Sequence, residues 1–208
     1  MQATQGTAMN ARPPRIDSAD GRVLPLREYA ADFLVLFHEI DGVIWKLERA
    51  QDFDEGDNPS WKAMRAGDWE RSLALLEEAR GTIAADLPAR ATMRRLRVVE
   101  WPLTPYMQWE LHLLALRERL GEGCRVVAAE DVAGLETDGP LPELVIFPGH
   151  HAYRVRYDER GACVGARKVA DPAVVEPWTE LVASLYDGAE DLGDYVRRRV
   201  EPLPPPAP

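Results

Sequence analysis

The sequence predicts a mixed α/β fold, with one partly parallel sheet of about five or six strands and helices packed on it. Three observations point there. Apolar residues recur at helical spacing in four segments, short runs of β-branched residues stand between them, and a strand–helix–strand pattern in mid-chain calls for a parallel pair.

The elements follow in order. Leu26, Tyr29, Phe33, Phe37 and Ile40 make one apolar face of a helix from about Leu26 to Ile40. Val43 to Leu47 reads as a strand, and the acidic loop Asp52 to Asn58 follows. Pro59 can open a short helix, and Asp68 suits the N-cap of a longer one bearing Trp69, Leu73, Leu76 and Ile83. Leu96 to Val99 is a second strand. Thr104 caps the next helix with Pro105 at its first position, where the missing N–H costs little. Tyr106, Trp109, Leu113, Leu116 and Leu120 form its stripe, Gly121 and Gly123 end it, and Arg125 to Ala128 returns as a parallel strand. Leu144 to Phe147 is an apolar run suited to a buried strand. Tyr153 to Tyr157 alternates, Asp158 to Gly161 supplies a turn, and Cys163 to Val169 completes a hairpin. Asp171 and Pro172 start a helix carrying Val174, Trp178, Leu181 and Leu185, and a short helix from about Leu192 to Val200 follows.

A length of 208 residues fits one domain between tails. Residues 1–22 are expected to be a disordered N-terminal tail, 23–200 the α/β domain, and 201–208 a Pro-rich tail. Met1 to Arg15 holds no apolar run of a signal peptide, and no stretch approaches the ~20 apolar residues of a membrane span, so a cytoplasmic protein is expected. Cys124 and Cys163 belong to no C-x-x-C pair and are expected as buried free thiols. A net charge of −10 repels phosphate backbones and argues against direct nucleic-acid binding. Two short basic clusters, Arg94, Arg95 and Arg97, and Arg197 to Arg199, are expected at a solvated strand end and a helix C-terminus.

Catalytic signatures are sparse. The serines lie in no G-x-S-x-G elbow, and there is no P-loop or G-x-G-x-x-G turn. Asp52, Asp54 and Asp57 resemble the start of a calcium loop, but Ala63 stands where a bidentate Glu belongs. Neither a metal site nor a cofactor is expected. Ligands of α/β folds bind at the C-terminal ends of parallel strands, where Trp101 sits between Glu100 and Pro102. Glu100, Trp101, Tyr106 and Glu110 are therefore the candidate ligand-binding residues, while Thr104 is explained by its capping position.

His151, Tyr153 and Asp158 have the spacing H-x-Y-x4-D, similar to the H-x-K-x4-D motif of the phospholipase D superfamily. That resemblance implies His151 as nucleophile, with Asp158 orienting it. Tyr153 cannot supply the positive charge of the lysine it replaces, and the chain has no second copy of the motif. A strand-edge histidine and a turn aspartate account for these residues without catalysis.

Several segments together resemble a family of uncharacterised actinobacterial proteins, a domain of unknown function. They are Trp45-Lys46-Leu47-Glu48, Arg97-Val98-Val99-Glu100, the run from Pro102 to Leu111, Gly123 to Val126, Leu144 to Phe147, and Tyr157-Asp158 followed by Gly161 and Gly165. The likeness spans about residues 30 to 188 and departs from the usual pattern at His150-His151-Ala152. Members are often encoded beside helix-turn-helix regulators, which the resemblance makes a candidate partner. It also implies a fold distantly similar to phospholipase-D-like domains. The expected function is a non-catalytic regulatory or interaction module that binds a protein partner or small ligand through one edge of its sheet. The alternative is a phosphodiesterase-like enzyme using His151.

Overall fold

A computed structural model describes residues 13–207. Its eight strands are β1 (Arg22–Pro25), β2 (Gly42–Glu48), β3 (Ala91–Val99), β4 (Gly123–Ala128), β5 (Leu144–Phe147), β6 (His151–Tyr157), β7 (Cys163–Val169) and β8 (Glu190–Asp191). The helices are α1 (Leu26–Glu39), α2 (Pro59–Arg65), α3 (Trp69–Glu78), α4 (Arg80–Ala85), α5 (Pro105–Arg119), α6 (Ala129–Val132), α7 (Pro172–Gly188) and α8 (Leu192–Tyr195). All strands join one sheet in the order β1-β7-β6-β5-β2-β3-β4-β8. Strands β2, β3 and β4 run parallel, and every other pairing is antiparallel.

The sheet is mixed and partly parallel as expected, but it has eight strands rather than five or six. The two additional strands are its edges. β8 has two residues, too few to show alternation, and β1 ends on Pro25, which a sequence reading takes as a break. Residues 13–22, expected as part of a loose tail, pack instead. Ile16 is buried in the core beneath α7, and the Trp178 indole donates to the Pro14 carbonyl at 2.9 Å. The rest of that expected tail lies outside the described residues. At the other end, the Pro204 carbonyl accepts from Gln108 Nε2 at 2.8 Å, which ties the Pro-rich segment to α5.

Local chemistry sets the element ends. Asn58, Asp68, Thr104, Asp171 and Asp191 each cap a helix by accepting from backbone N–H groups. The expected single helix from Asp68 through Ile83 is two, broken at Ala79. The last helix continues from α8 into a π-helical turn, Val196–Val200. Helix α5 is buried on more than its expected stripe: Met107, Leu111 and Leu114 face the sheet, while Trp109 of the expected stripe is covered from the other side, where its indole donates to Ser60 of α2. Among the described residues, no helix is long and apolar enough to cross a membrane.

One face of the sheet packs Trp45, Leu47, Leu96 and Val98 against Trp178 and Val182 of α7. The opposite face is divided. Under α1, Ile44, Met93, Val145, Phe147, Tyr153 and Val155 meet Phe37. Under α5, Val99, Cys124 and Val126 meet Met107, Leu111 and Leu114. The strip of sheet between these two apolar clusters carries charge.

Candidate functional site

That strip follows from register. Side chains alternate across a strand, so Lys46 and Glu48 share a face on β2, and Arg95 and Arg97 share it on β3. The parallel pairing sets Lys46 beside Arg95 and Glu48 beside Arg97. The expectation of a solvated basic strand end is corrected here: Arg95 is 6% exposed and Arg97 is wholly buried. Both lie beneath helices, and carboxylates compensate them.

The charges form a chain. Lys46 Nζ and Arg95 Nη1 each lie 2.6 Å from Glu48, on its two oxygens. Arg95 Nε meets Glu122 Oε1 at 2.6 Å, and Arg117 Nε meets Glu122 Oε2 at 2.5 Å. A second group adjoins it. Arg97 Nε pairs with Glu110 at 2.8 Å, while the other guanidinium nitrogens donate to the carbonyls of Glu48, Val98 and Ala50. The Tyr106 hydroxyl then donates to Glu110 or Glu55.

The electrostatics follow from these partners. Burial opposes ionisation of Glu48, yet Arg95 and Lys46 hold it well below the usual carboxylate range. Burial likewise opposes, and Arg95 and Arg117 win, at Glu122. At Glu110 burial prevails over Arg97 and raises the carboxyl. Burial, then the charges of Glu48 and Glu143, push the Tyr157 hydroxyl far up, so it stays a protonated donor.

Two adjoining cavities open onto the chain. One, of about 500 Å3, lies between α1 and α5, with Phe33, Leu34, Phe37 and Val155 among its apolar walls. The other, of about 300 Å3, includes Glu48, Glu55, Tyr106 and Glu110. Lys46, Arg95, Arg117, Tyr157 and Cys163 line both. The result is a cleft with one apolar end and one polar end. Cys124 is buried as expected, but Cys163 is half-buried in this cleft.

The structure brings together only some of the sequence-derived candidates. Tyr106 and Glu110 sit at the polar end of the cleft. Glu100 and Trp101 line neither cavity. Glu100 is exposed and pairs with Arg49 at 2.6 Å, and Trp101 is 40% exposed, donates to the Tyr195 hydroxyl and lies under Arg199. Both lie in the connection between β3 and α5, ahead of the helix that walls the cleft.

His151 and Asp158 are separated. His151 begins β6 with its ring against Phe147 and Tyr153, and its Nε2 is buried without a hydrogen-bond partner. Asp158 lies past the other end of the strand, roughly 20 Å away at the usual rise per residue. There its carboxylate accepts from the backbone of Arg160 and Ala162 and closes the hairpin turn. In this geometry Asp158 cannot orient His151. The Tyr153 hydroxyl is engaged by Asp32, which Lys168 also contacts at 2.6 Å.

Sequence reasoning missed Lys46, Glu48, Arg95, Arg117, Glu122 and Tyr157. A signal was present: charges at alternate positions of two strands, Lys46 and Glu48 around Leu47 and Arg95 and Arg97 around Leu96. No curated protein matches the chain. The family model described as a domain of unknown function, DUF6879, matches residues 31–197, a span that holds the whole charged chain and every lining residue of the cleft except Tyr29. The protein belongs to this family.

Proposed function

We propose that the protein is a non-catalytic regulatory module of the cytoplasm that binds a small ligand in the cleft between α1 and α5. One observation carries this reading: five charged side chains are held in a buried chain beneath a cleft. Such a network is a poor way to stabilise a fold, because desolvating the ions costs about as much as their attraction returns. It is a good way to fix hydrogen-bond donors in place for recognition. The donors are oriented by ion pairs, and the carboxylates are occupied by cations, which suits binding better than proton transfer.

The family resemblance supports a helix-turn-helix regulator as the protein partner that reads the bound state. The same resemblance supports a phospholipase-D-like ancestry for the sheet, with its catalytic centre not retained. The test is a thermal-shift screen of the purified protein against a broad metabolite set, with each hit recovered and analysed. Compounds that raise Tm and come back unchanged support a binding module. A hit converted to product makes the protein an enzyme and overturns the reading.

A further inference from the structure

Resting on the reading of the cleft as a ligand site, the pattern of used and unused hydrogen-bonding groups specifies the ligand. Both oxygens of Glu48 and both oxygens of Glu122 already accept from cations in the chain. The cations are not exhausted. Among the described residues, Lys46 has three N–H donors and pairs only with Glu48; Arg117 engages Glu122 through Nε alone; Arg95 uses Nε and Nη1 and leaves Nη2 without an acceptor. The Tyr157 hydroxyl lines both cavities and has no hydrogen-bond partner among the described residues. Unused donors from four side chains, on β2, β3, β6 and α5, thus meet where the two cavities join.

Charge agrees with this count. Within the chain, Lys46, Arg95 and Arg117 face Glu48 and Glu122, an excess of one positive charge. Arg97 and Glu110 balance each other next to it. Asp54 and Glu55 line the smaller cavity and Asp86 the larger one, so the cations meet at the junction with carboxylates on either side. Beyond the junction the larger cavity is lined mainly by apolar side chains, Tyr29, Phe33, Leu34, Phe37, Met93 and Val155, with His38 and Asp86 also on its wall. Its volume of about 500 Å3 falls in the range of small-molecule sites.

We infer that the cleft takes an amphipathic oxyanion, its head on Lys46, Arg95, Arg117 and Tyr157 and its apolar body under α1. The head is one oxyanion group, such as a carboxylate, and the body is an aliphatic chain or flat ring system.

Titration calorimetry with decanoate, decanamide and decylamine tests this. The three share a body and differ in the charge and donor character of the head. The structure predicts that decanoate binds, that decanamide binds at least about ten-fold more weakly, and that decylamine is rejected. Lys46→Met should weaken decanoate by a similar factor in a protein that circular dichroism shows still folded, Lys46→Arg should restore it, and Phe33→Ala should weaken decanoate and decanamide together. Equal binding of decanoate and decanamide overturns the oxyanion head while leaving the cleft as a ligand site. Preferential binding of decylamine, or no decanoate binding by a folded wild-type protein, overturns the inference outright. The metabolite screen then decides separately whether the cleft binds another class of compound.

Discussion

Arg95 Nε lies 2.6 Å from Glu122 Oε1, with the glutamate side chain wholly removed from water. This contact ties the middle parallel strand to the turn after α5, and the second oxygen of Glu122 holds Arg117 from the helix itself. Burial pulls against the positive charge of Arg95, yet Glu122 and Glu48 keep it firmly protonated. The cleft is thus organised around a cation that cannot titrate and cannot leave.

The neighbouring pair is the most costly to break. Arg97→Ala removes a fully buried guanidinium, strips Glu110 of its ion-pair partner and takes a donor from the carbonyls of Glu48, Val98 and Ala50, of which Val98 keeps Gln51 Nε2. The expected loss is about 3–5 kcal/mol of stability in urea denaturation. The double variant Arg97→Met with Glu110→Leu should lose less than Arg97→Ala, because no orphan charge remains.

Two groups titrate with opposite consequences. Burial, then Asp191, raises Glu118 from 4.5 to about 7, while the backbone N–H of Gly193 opposes the rise. The folded state therefore holds this proton more tightly than the unfolded state. Stability from this group is greatest below about pH 4.5 and falls as pH rises to about 7. Glu118→Gln should be more stable than wild type at pH 8 and indistinguishable from it at pH 4, as denaturation at both values will show.

Burial, then the nearby Lys168, lowers His151 from 6.5 to about 4. Here the unfolded state takes the proton first, so stability falls as pH drops from about 6.5 towards 4. His151→Leu should flatten that acid limb and shift stability at pH 7 by less than about 1.5 kcal/mol.

Gly165 has φ +132°, and a Cβ there would lie 2.0 Å from the Leu24 carbonyl oxygen across the β1–β7 pairing. Gly165→Ala should cost roughly 1–3 kcal/mol and increase hydrogen exchange along β1, while β5 and β6 stay protected.

The six inner strands were legible because their alternation or apolar runs are long enough to see, as in Leu144–Phe147 and Tyr153–Tyr157. The caps at Asp68, Thr104 and Asp171 were legible because capping is local chemistry. The edge strands were not: β1 runs into Pro25 and β8 has only two residues. Nor was the charged strip. Arg95 and Arg97 read as a solvated cluster because their compensating carboxylates, Glu48, Glu110 and Glu122, come from three other segments that only the fold brings near. Of the ligand-site candidates, Tyr106 and Glu110 lie on the helix that walls the cleft, whereas Glu100 and Trp101 precede it in the connection from β3.

Cys163 reports on occupancy of the cleft, since it lines both cavities while Cys124 is buried. The most direct measurement is the rate of Cys163 alkylation in the native protein with and without saturating decanoate, read by peptide mass spectrometry. A bound amphipathic oxyanion should slow that rate at least about ten-fold, and Lys46→Met should abolish the protection at the same decanoate concentration. An unchanged rate while calorimetry shows decanoate bound would place the ligand elsewhere and contradict the cleft as the binding site.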